Sequence, residues 1–307
     1  MSELLDVAFI SGLIGATMRM ATPIIFATLG EILAERSGVL NLGIEGIMLM
    51  GAMTGFLVTF NSGSIWAGVL AAAMVGMLLG LLMAFLAVNL GLSQHVSGLG
   101  ITLFATGLAM FIYRLYFGSP TVPPTIEPFR QITLPLLAKI PIIGPGLFTQ
   151  YSLTYIAWLL IPVVSILLYK TRLGLKIRTV GENPVVADTV GVNVTLTRTL
   201  CLVFGGAFLT LAHQNMFLID VIGGRGWVAI AMVIFGNWNP FKGALGALIF
   251  GFLDGLQLRL QGLGIAISFH LFLMIPYLLT IVALISVSRR AAVPAGLLKP
   301  YRREEKG

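Results

Sequence analysis

The side chains that could do chemistry in this chain are a few polar and ionisable residues set inside apolar sequence. A carboxylate such as Glu45, one turn into an apolar segment, needs a partner or water, because charge is costly in hydrocarbon. Intramembrane residues of this kind are candidates for contact with a transported solute. We predict that five of them lie along a substrate pathway: Asn41, Glu45, His95, Arg225 and Asn239. A helix cap at Asn41 and a structural role for His95 at a helix boundary remain as alternatives.

The sequence carries no recognisable catalytic pattern. It lacks the HExxH and GxSxG motifs, and no apolar segment holds paired carboxylates for acid–base catalysis. Its one cysteine, Cys201, allows neither a disulfide within the chain nor a cysteine metal site. We therefore expect no catalytic residue, no metal ligand and no cofactor in this chain. The alternative is a stand-alone secondary transporter in which Glu45, Asp254 and the histidines couple transport to protons or sodium ions.

The composition predicts the elements that must hold these residues. Hydrophobic residues make up 57% of the 307-residue chain and charged residues 10%, which excludes an ordinary soluble domain. Long apolar runs indicate an all-α, polytopic transmembrane bundle of about eight to ten spans with broken helices. We expect it to form one domain over residues 1–307. The net charge of +7 is concentrated at span boundaries, so we expect contact with the lipid bilayer and none with nucleic acid.

Apolar runs place the spans along the chain. The first span contains Arg19 and ends before a polar segment, residues 31–46, whose first half is predicted to be a turn. A shorter run, residues 223–240, begins with glycines and is predicted to be a broken helix of the kind that surrounds substrate sites in transporters. Besides this shorter run, spans are predicted at about residues 8–29 (the first span), 47–60, 65–90, 98–117, 152–170, 197–218, 243–261 and 266–287.

The distribution of charge predicts the orientation in the membrane. Basic residues cluster at the foot of the span over residues 152–170 and again in the tail, residues 288–307. The positive-inside rule assigns both clusters to the cytoplasm, and with about nine crossings the amino end then lies outside. The first six residues carry acid and no base, so the first span is expected to be retained. The proline-rich loop, residues 118–150, is predicted to be outside and stiff.

A polar segment at about residues 171–198 carries clear helix punctuation. Asn183 is placed to be an N-cap, Pro184 to be the first helical residue and Gly191 to stop the helix. Two interpretations remain open. The segment is either a solvated cytoplasmic loop or a rigid docking helix, with small residues at Ala187 and Gly191, on which a cytoplasmic partner pushes.

An internal repeat links two apolar segments at a constant offset of about 175 residues. The first segment contributes Gly68, Leu70, Ala72, Gly76, Leu78 and Gly80, and the second contributes Gly243, Leu245, Ala247, Gly251, Leu253 and Gly255. Ser93 and His95 correspond in the same way to Ser268 and His270. By the predicted topology the two segments cross in opposite directions, as in an inverted repeat. Chance similarity in glycine-rich apolar sequence is the alternative.

Three long motifs and the tail resemble a known family. Residues 35–51 (ERSGVLNLGIEGIMLMG), 180–193 (VGENPVVADTVGVN) and 224–240 (GRGWVAIAMVIFGNWNP), together with the tail 294–303, occur in the right order. They resemble bacterial ABC importer permeases of the ribose and branched-chain amino-acid permease family, and most closely its nucleoside-type members. The resemblance covers about residues 15–303.

The resemblance implies one half of a channel in the bacterial inner membrane for a nucleoside or related small solute. It also implies a second, related permease, an extracytoplasmic substrate-binding lipoprotein and an ABC ATPase subunit that binds ATP and Mg. In the family, the segment that matches residues 181–193 is the coupling segment that contacts the ATPase. The residues implied for that contact are Gly181, Glu182, Asn183, Pro184, Ala187, Asp188 and Gly191.

Overall fold

The computed structural model describes residues 7–211, residue 217, residues 222–262, residues 292–301 and single helical positions between 274 and 285. The longer helices of this part of the chain are α1 (Val7–Arg36), α2 (Ile44–Ser62), α3 (Ile65–Ala84, continued by a π-helical turn, Phe85–Asn89), α4 (Gln94–Phe117), α6 (Ser152–Lys170), α9 (Val194–Leu209) and α11 (Pro240–Gly262). The shorter ones are α5 (Ile143–Phe148), α7 (Arg172–Glu182), α8 (Pro184–Thr189) and α10 (Arg225–Phe235). Two short strands, β1 (Gln131–Thr133) and β2 (Thr149–Tyr151), pair antiparallel.

The predicted all-α membrane architecture is confirmed. Six helices of the described residues are long and apolar enough to cross a membrane: α1, α2, α3 with its π turn, α4, α6 and α11. Two shorter apolar helices, α9 and α10, complete the apolar elements found there. The predicted span at 266–287, and the part of the predicted sixth span beyond α9 that contains His213, lie largely outside the residues that the structure describes.

The end of α1 corrects one prediction. Residues 31–36 were predicted to be a polar turn, whereas α1 continues as a helix to Arg36. Glu31 and Glu35 are almost fully buried in it. Glu31 accepts a hydrogen bond from the backbone N–H of Asn41 (2.8 Å), and Glu35 accepts one from the indole N–H of Trp238 (2.6 Å). Donors from outside α1 thus satisfy one oxygen of each carboxylate and help to accommodate both groups within a helix.

Glycines allow close contacts between helices, and the order of these contacts along the chain shows the relative directions of the helices. Gly76 and Gly80 of α3 contact residues 206 and 202 of α9, so these two helices are antiparallel. Gly251 and Gly255 of α11 contact residues 21 and 16 of α1 in the same reversed order. Small residues at these positions let the helix backbones approach closely.

The two segments of the 175-residue repeat use these glycines in the same way. α1 and α9 are themselves antiparallel, because Gly30 contacts Gly205 and Gly38 contacts Arg198. It follows that α3 and α11 run in opposite directions, as an inverted repeat requires. The proposed matches Ser268 and His270 lie outside the described residues.

The bundle has two distinct ends. We call the end where α1 and α6 finish, at Arg36 and Lys170, the basic end. The short helices α7 and α8 lie there, and so do residues 292–301, because Gly181 contacts the backbone of Arg36 and accepts a hydrogen bond from the N–H of Gly296 (2.7 Å). The opposite end carries the proline-rich loop with β1, α5 and β2.

A glycine substitution tests the helix packing. A Cβ added at Gly76 would overlap the backbone carbonyl of Gly206, so Gly76→Ala must separate α3 from α9. Overpacking of this kind costs about 1–3 kcal/mol, and we expect a lower melting temperature of the detergent-solubilised chain. Gly107→Ala is the matched control, since no described atom lies within 4 Å of its added Cβ. Equal melting temperatures for the two variants would contradict the assigned packing.

Candidate functional site

The helix α10 begins within the membrane rather than at its surface. Its eleven residues span about 16 Å, roughly half of a 30 Å hydrocarbon core. It ends beside a turn at the basic end, where Arg36 of α1 donates hydrogen bonds to the carbonyl oxygens of Asn237 (3.4 Å) and Trp238 (3.3 Å). The amino terminus of α10 therefore lies near the middle of the membrane. The broken helix predicted from residues 223–240 is confirmed as a short helix.

Glu45 occupies the amino terminus of α10. Its two carboxylate oxygens accept hydrogen bonds from the backbone N–H groups of Gly224 and Gly226, each at 2.8 Å. A carboxylate at this position satisfies two N–H groups that the helix leaves unpaired and interacts favourably with the helix dipole. Gly226 leaves the space that this approach needs, because an added Cβ would meet Glu45. The partner that the sequence required for Glu45 is thus the start of α10.

Arg225 forms an ion pair with Asp254 of α11 beside this carboxylate. Nη2 of Arg225 lies 3.1 Å from Oδ2 of Asp254 and 3.7 Å from the sulfur of Met20. The hydroxyl of Tyr277 donates a hydrogen bond to the carbonyl oxygen of Gly223 (2.8 Å). We call Glu45, Arg225, Asp254 and Tyr277 the mid-membrane cluster.

The mid-membrane cluster is accessible from outside the isolated chain. The side chains of Arg225 and Asp254 are 21% and 18% exposed, and Glu45 is half-buried. Charged side chains at this depth face the interior of an assembly or a water-filled cavity rather than lipid. The exposed side of the mid-membrane cluster must therefore meet either water or another protein subunit.

Two of the five predicted pathway residues lie together and three do not. Glu45 and Arg225 meet in the mid-membrane cluster. Asn41 is buried, and its side chain accepts a hydrogen bond from the N–H of Gly43 (3.0 Å), which closes a turn ahead of α2. Asn239 caps α11 by accepting from the N–H groups of residues 241 and 242. Asn41 and Asn239 thus have local capping contacts instead of a place in the mid-membrane cluster.

His95 is exposed in the first turn of α4, away from the mid-membrane cluster. Its neighbour Gln94 is the residue that points inward. The Gln94 side chain is 5% exposed and accepts a hydrogen bond from the N–H of Leu40 (2.8 Å). The start of the helix at Gln94 determines which of the two side chains enters the bundle.

The predicted helix punctuation of the polar segment is confirmed. The side chain of Asn183 accepts a hydrogen bond from the N–H of Val186 (3.1 Å), and Pro184 is the first residue of α8. The helix ends at Thr189, and Gly191 follows with φ of +82°, a left-handed conformation that glycine adopts easily.

Three residues predicted for coupling contact the rest of the chain: Gly181 and Ala187 are buried, and Glu182 is exposed. Ala187 packs with Val180 and Val194 in a small core of its own. Oε2 of Glu182 accepts a hydrogen bond from the N–H of Ala295 in the tail (3.2 Å). These three residues therefore fix α8 to the rest of the chain.

The exposed surface of this segment includes three valines that we did not single out from the sequence. Val185, Val186 and Val190 are 59%, 55% and 72% exposed. The signal in the sequence that could have identified them is their apolar character inside an otherwise polar segment. Large apolar side chains grouped on a water-facing surface indicate a protein contact.

The chain shows no metal site in the part that the structure describes, because no three His, Cys, Asp or Glu side chains group there. The ionisable residues of the site are paired with backbone groups or with each other. The arrangement can thus bind, orient and exchange hydrogen bonds with a polar solute.

Removal of the Glu45 carboxylate tests its contact with α10. Glu45→Ala leaves two N–H groups of α10 without an acceptor, and hydrogen bonds to a charged group contribute about 2 kcal/mol. We expect faster hydrogen exchange in a peptide that contains Gly224 and Gly226, together with a lower melting temperature. Glu45→Gln retains one acceptor oxygen and should show a smaller effect, while Glu127→Gln in the exposed loop should show none. Unchanged exchange in Glu45→Ala would contradict the contact.

Comparison with known proteins places the chain among membrane permeases. The model of a family described as "Branched-chain amino acid transport system / permease component" matches residues 13–284. The chain is 39% identical to the putative glucose ABC transporter permease TsgC13 of Haloferax volcanii, over 97% of this chain and 99% of that protein. It is 36% identical to the guanosine ABC transporter permease NupQ of Bacillus subtilis, over 96% of this chain and 98% of that protein. It is 33% identical to the nucleoside ABC transporter permease NupC of Lactococcus lactis, over 89% of this chain and 91% of that protein.

No solved structure matches the chain. The family match covers all of the residues that form the mid-membrane cluster, and the three relatives match over nearly their whole length. The helices that could cross a membrane agree with a subunit of this kind. The chain therefore belongs to the family of permease components of branched-chain amino acid transport systems, as a membrane-spanning permease subunit of an ABC transporter.

Proposed function

We propose that this chain forms part of the import pathway for a nucleoside or another sugar-bearing solute. The observation that carries the proposal is the mid-membrane cluster: charged side chains around the start of a broken helix, partly exposed at half the depth of the membrane. Transporters place substrate sites at such broken helices. The three relatives, named for glucose, guanosine and nucleosides, supply the solute class.

A second permease completes the pathway in this proposal. The isolated chain leaves Arg225 and Asp254 partly exposed at a depth where lipid contact would be costly. A second permease subunit, related to this chain but different from it, would cover the mid-membrane cluster and leave a polar passage between the two chains. An extracytoplasmic binding lipoprotein would deliver the solute to the end with the proline-rich loop.

The basic end contacts the ATPase in this proposal and faces the cytoplasm. Positively charged residues at this end, including Lys170, Arg172 and Lys176, support the orientation through the positive-inside rule, with the amino end outside. The exposed valines of α8 and the loop after it are the surface for the ATPase. ATP and Mg bind to that partner, and hydrolysis occurs there.

The alternative of a proton- or sodium-driven transporter gains no support from the comparisons, because the named relatives are ABC transporter permeases. Asp254 pairs with Arg225 and Glu45 binds the start of α10, so both carboxylates have structural partners.

Purification of the tagged chain from its host tests the proposed assembly. We expect an ABC ATPase and a second permease to be recovered with the chain and identified by mass spectrometry. The variant Val185→Asp/Val186→Asp places two charges on the proposed ATPase surface. Because burying an unpaired charge in an apolar interface is costly, such a change removes most of the binding. It should lose the ATPase at least tenfold while it retains the second permease.

The control for this experiment is Glu127→Lys, which changes charge in an exposed part of the proline-rich loop. It should recover both the ATPase and the second permease. Recovery of the wild-type chain alone, still active in transport after reconstitution, would overturn the proposed function. Undiminished recovery of the ATPase with the valine variant would overturn only the position of the coupling surface.

A further inference from the structure

The mid-membrane cluster continues along α11. Asp254 and Gln257 are three residues apart and lie on one face of that helix. The Gln257 side chain is 4% exposed, and its Oε1 has no hydrogen-bond partner among the residues that the structure describes. A buried amide oxygen without a partner is costly. The polar row on α11 thus includes a buried acceptor without a partner, about one helical turn from Asp254.

An aromatic surface borders the same polar groups. The ring of Tyr277 lies 5.7 Å from that of Phe250 in an edge-to-face arrangement. Phe250 is one turn from Asp254 on α11, and the Tyr277 hydroxyl is within electrostatic range of Asp254, Arg225 and Glu45. The site therefore combines hydrogen-bonding groups with an apolar ring surface, as small-molecule sites commonly do.

The charges of the mid-membrane cluster favour an uncharged solute that donates hydrogen bonds. The cluster holds two carboxylates, Asp254 paired with the Arg225 guanidinium and Glu45 bound to backbone N–H groups, so an incoming anion would meet excess negative charge. Each carboxylate oxygen has two acceptor positions, and a guanidinium has five N–H donors. Adjacent hydroxyl groups match this set, because each can donate to a carboxylate and accept from the arginine.

We propose that the mid-membrane cluster binds the adjacent hydroxyl groups of a sugar ring as the solute passes, with Asp254 as the main acceptor and Gln257 as a second one. The inference rests on the proposed function and names the chemistry that the pathway recognises. Arg225 holds the Asp254 carboxylate in place and donates to a hydroxyl oxygen. The exposed ring of Tyr277, packed against the buried Phe250, covers the apolar side of the sugar ring.

The named relatives support this choice of chemistry. Guanosine and glucose, for which two of the relatives are named, differ in size and in the presence of a base, but both carry adjacent hydroxyls on a sugar ring. A site that recognises this common group can serve each of them. A solute with a phosphate on the sugar is rejected by the excess negative charge.

The test compares two substrates in the complete transporter, reconstituted with its partner subunits in vesicles. Uptake of guanosine is measured against uptake of 2′,3′-dideoxyguanosine, which lacks both ribose ring hydroxyls, and glucose is paired with 3-deoxyglucose in the same way. The ratio of the two uptake rates is then compared between wild type and Asp254→Asn. The wild-type and Asp254→Asn transporters use the same binding protein, so the selectivity of that protein cancels when the two ratios are compared.

Loss of a hydrogen bond to a charged group changes discrimination by about tenfold. We expect Asp254→Asn to lower the preference for the hydroxylated substrate about tenfold and to leave uptake of the deoxy analogue nearly unchanged. Asp254→Glu keeps the carboxylate and should restore part of the preference. Glu127→Gln makes the same chemical change in the proline-rich loop, outside the mid-membrane cluster, and should leave the ratio of the two uptake rates unchanged.

The outcomes separate the inference from the proposed function. Wild-type transporter that takes up neither guanosine nor glucose overturns the proposed function. Wild-type uptake with an unchanged ratio in Asp254→Asn overturns the hydroxyl site alone. An equal fall for both members of a pair also overturns it, because a purely structural role for Asp254 would produce that result. If Asp254→Asn does not fold, Gln257→Leu is measured in the same way. We expect a smaller loss of preference for the hydroxylated substrate. An unchanged ratio in this variant overturns the hydroxyl site.

Discussion

A charge placed inside a membrane must be paired, and this constraint organises the centre of the bundle. The Glu45 carboxylate binds the first N–H groups of α10, which links α2 to the broken helix. The next residue pair, Arg225 and Asp254, links the same helix to α11. Since α10 is held from both sides by charged groups, a change in the position of α2 or α11 must either move α10 or break one of these contacts.

The basic end depends on a second set of polar contacts. The buried guanidinium of Arg198, on α9, donates to the carbonyl oxygens of Ser37 (3.1 Å), Gly296 (3.4 Å) and Lys299 (3.1 Å). The N–H of Gly296 in turn binds the carbonyl of Gly181, next to α8. The surface proposed for the ATPase is thus connected to α1, to α9 and to the tail. Force applied at α8 therefore acts on α1, whose Arg36 also holds the turn that follows α10.

Much of the architecture, and part of the site, follows from local sequence. Apolar runs predicted the long helices, and the cap at Asn183 needed only neighbouring residues. The continuation of α1 through Glu31 and Glu35 could not be predicted, because the indole of Trp238 that pairs with Glu35 is more than 200 residues away. The place of Asp254 in the site could not be predicted for the same reason, because its partner Arg225 lies on another helix. His95 was predicted for the pathway and Gln94 was not considered, because the sequence does not show which side chain of the first helical turn points inward.

The most direct test asks whether the mid-membrane cluster faces a passage that the ATPase opens and closes. The chain has one cysteine, Cys201, which is buried, so Cys201→Ala provides a background free of thiols for Asp254→Cys. A charged, membrane-impermeant thiol reagent is applied to the assembled transporter with and without ATP. We expect Asp254→Cys to react at least tenfold faster in one of the two states, and Leu103→Cys, on the apolar exposed face of α4, to remain unreactive in both. An Asp254→Cys thiol as unreactive as that at position 103 in both states would contradict a gated pathway through this cluster.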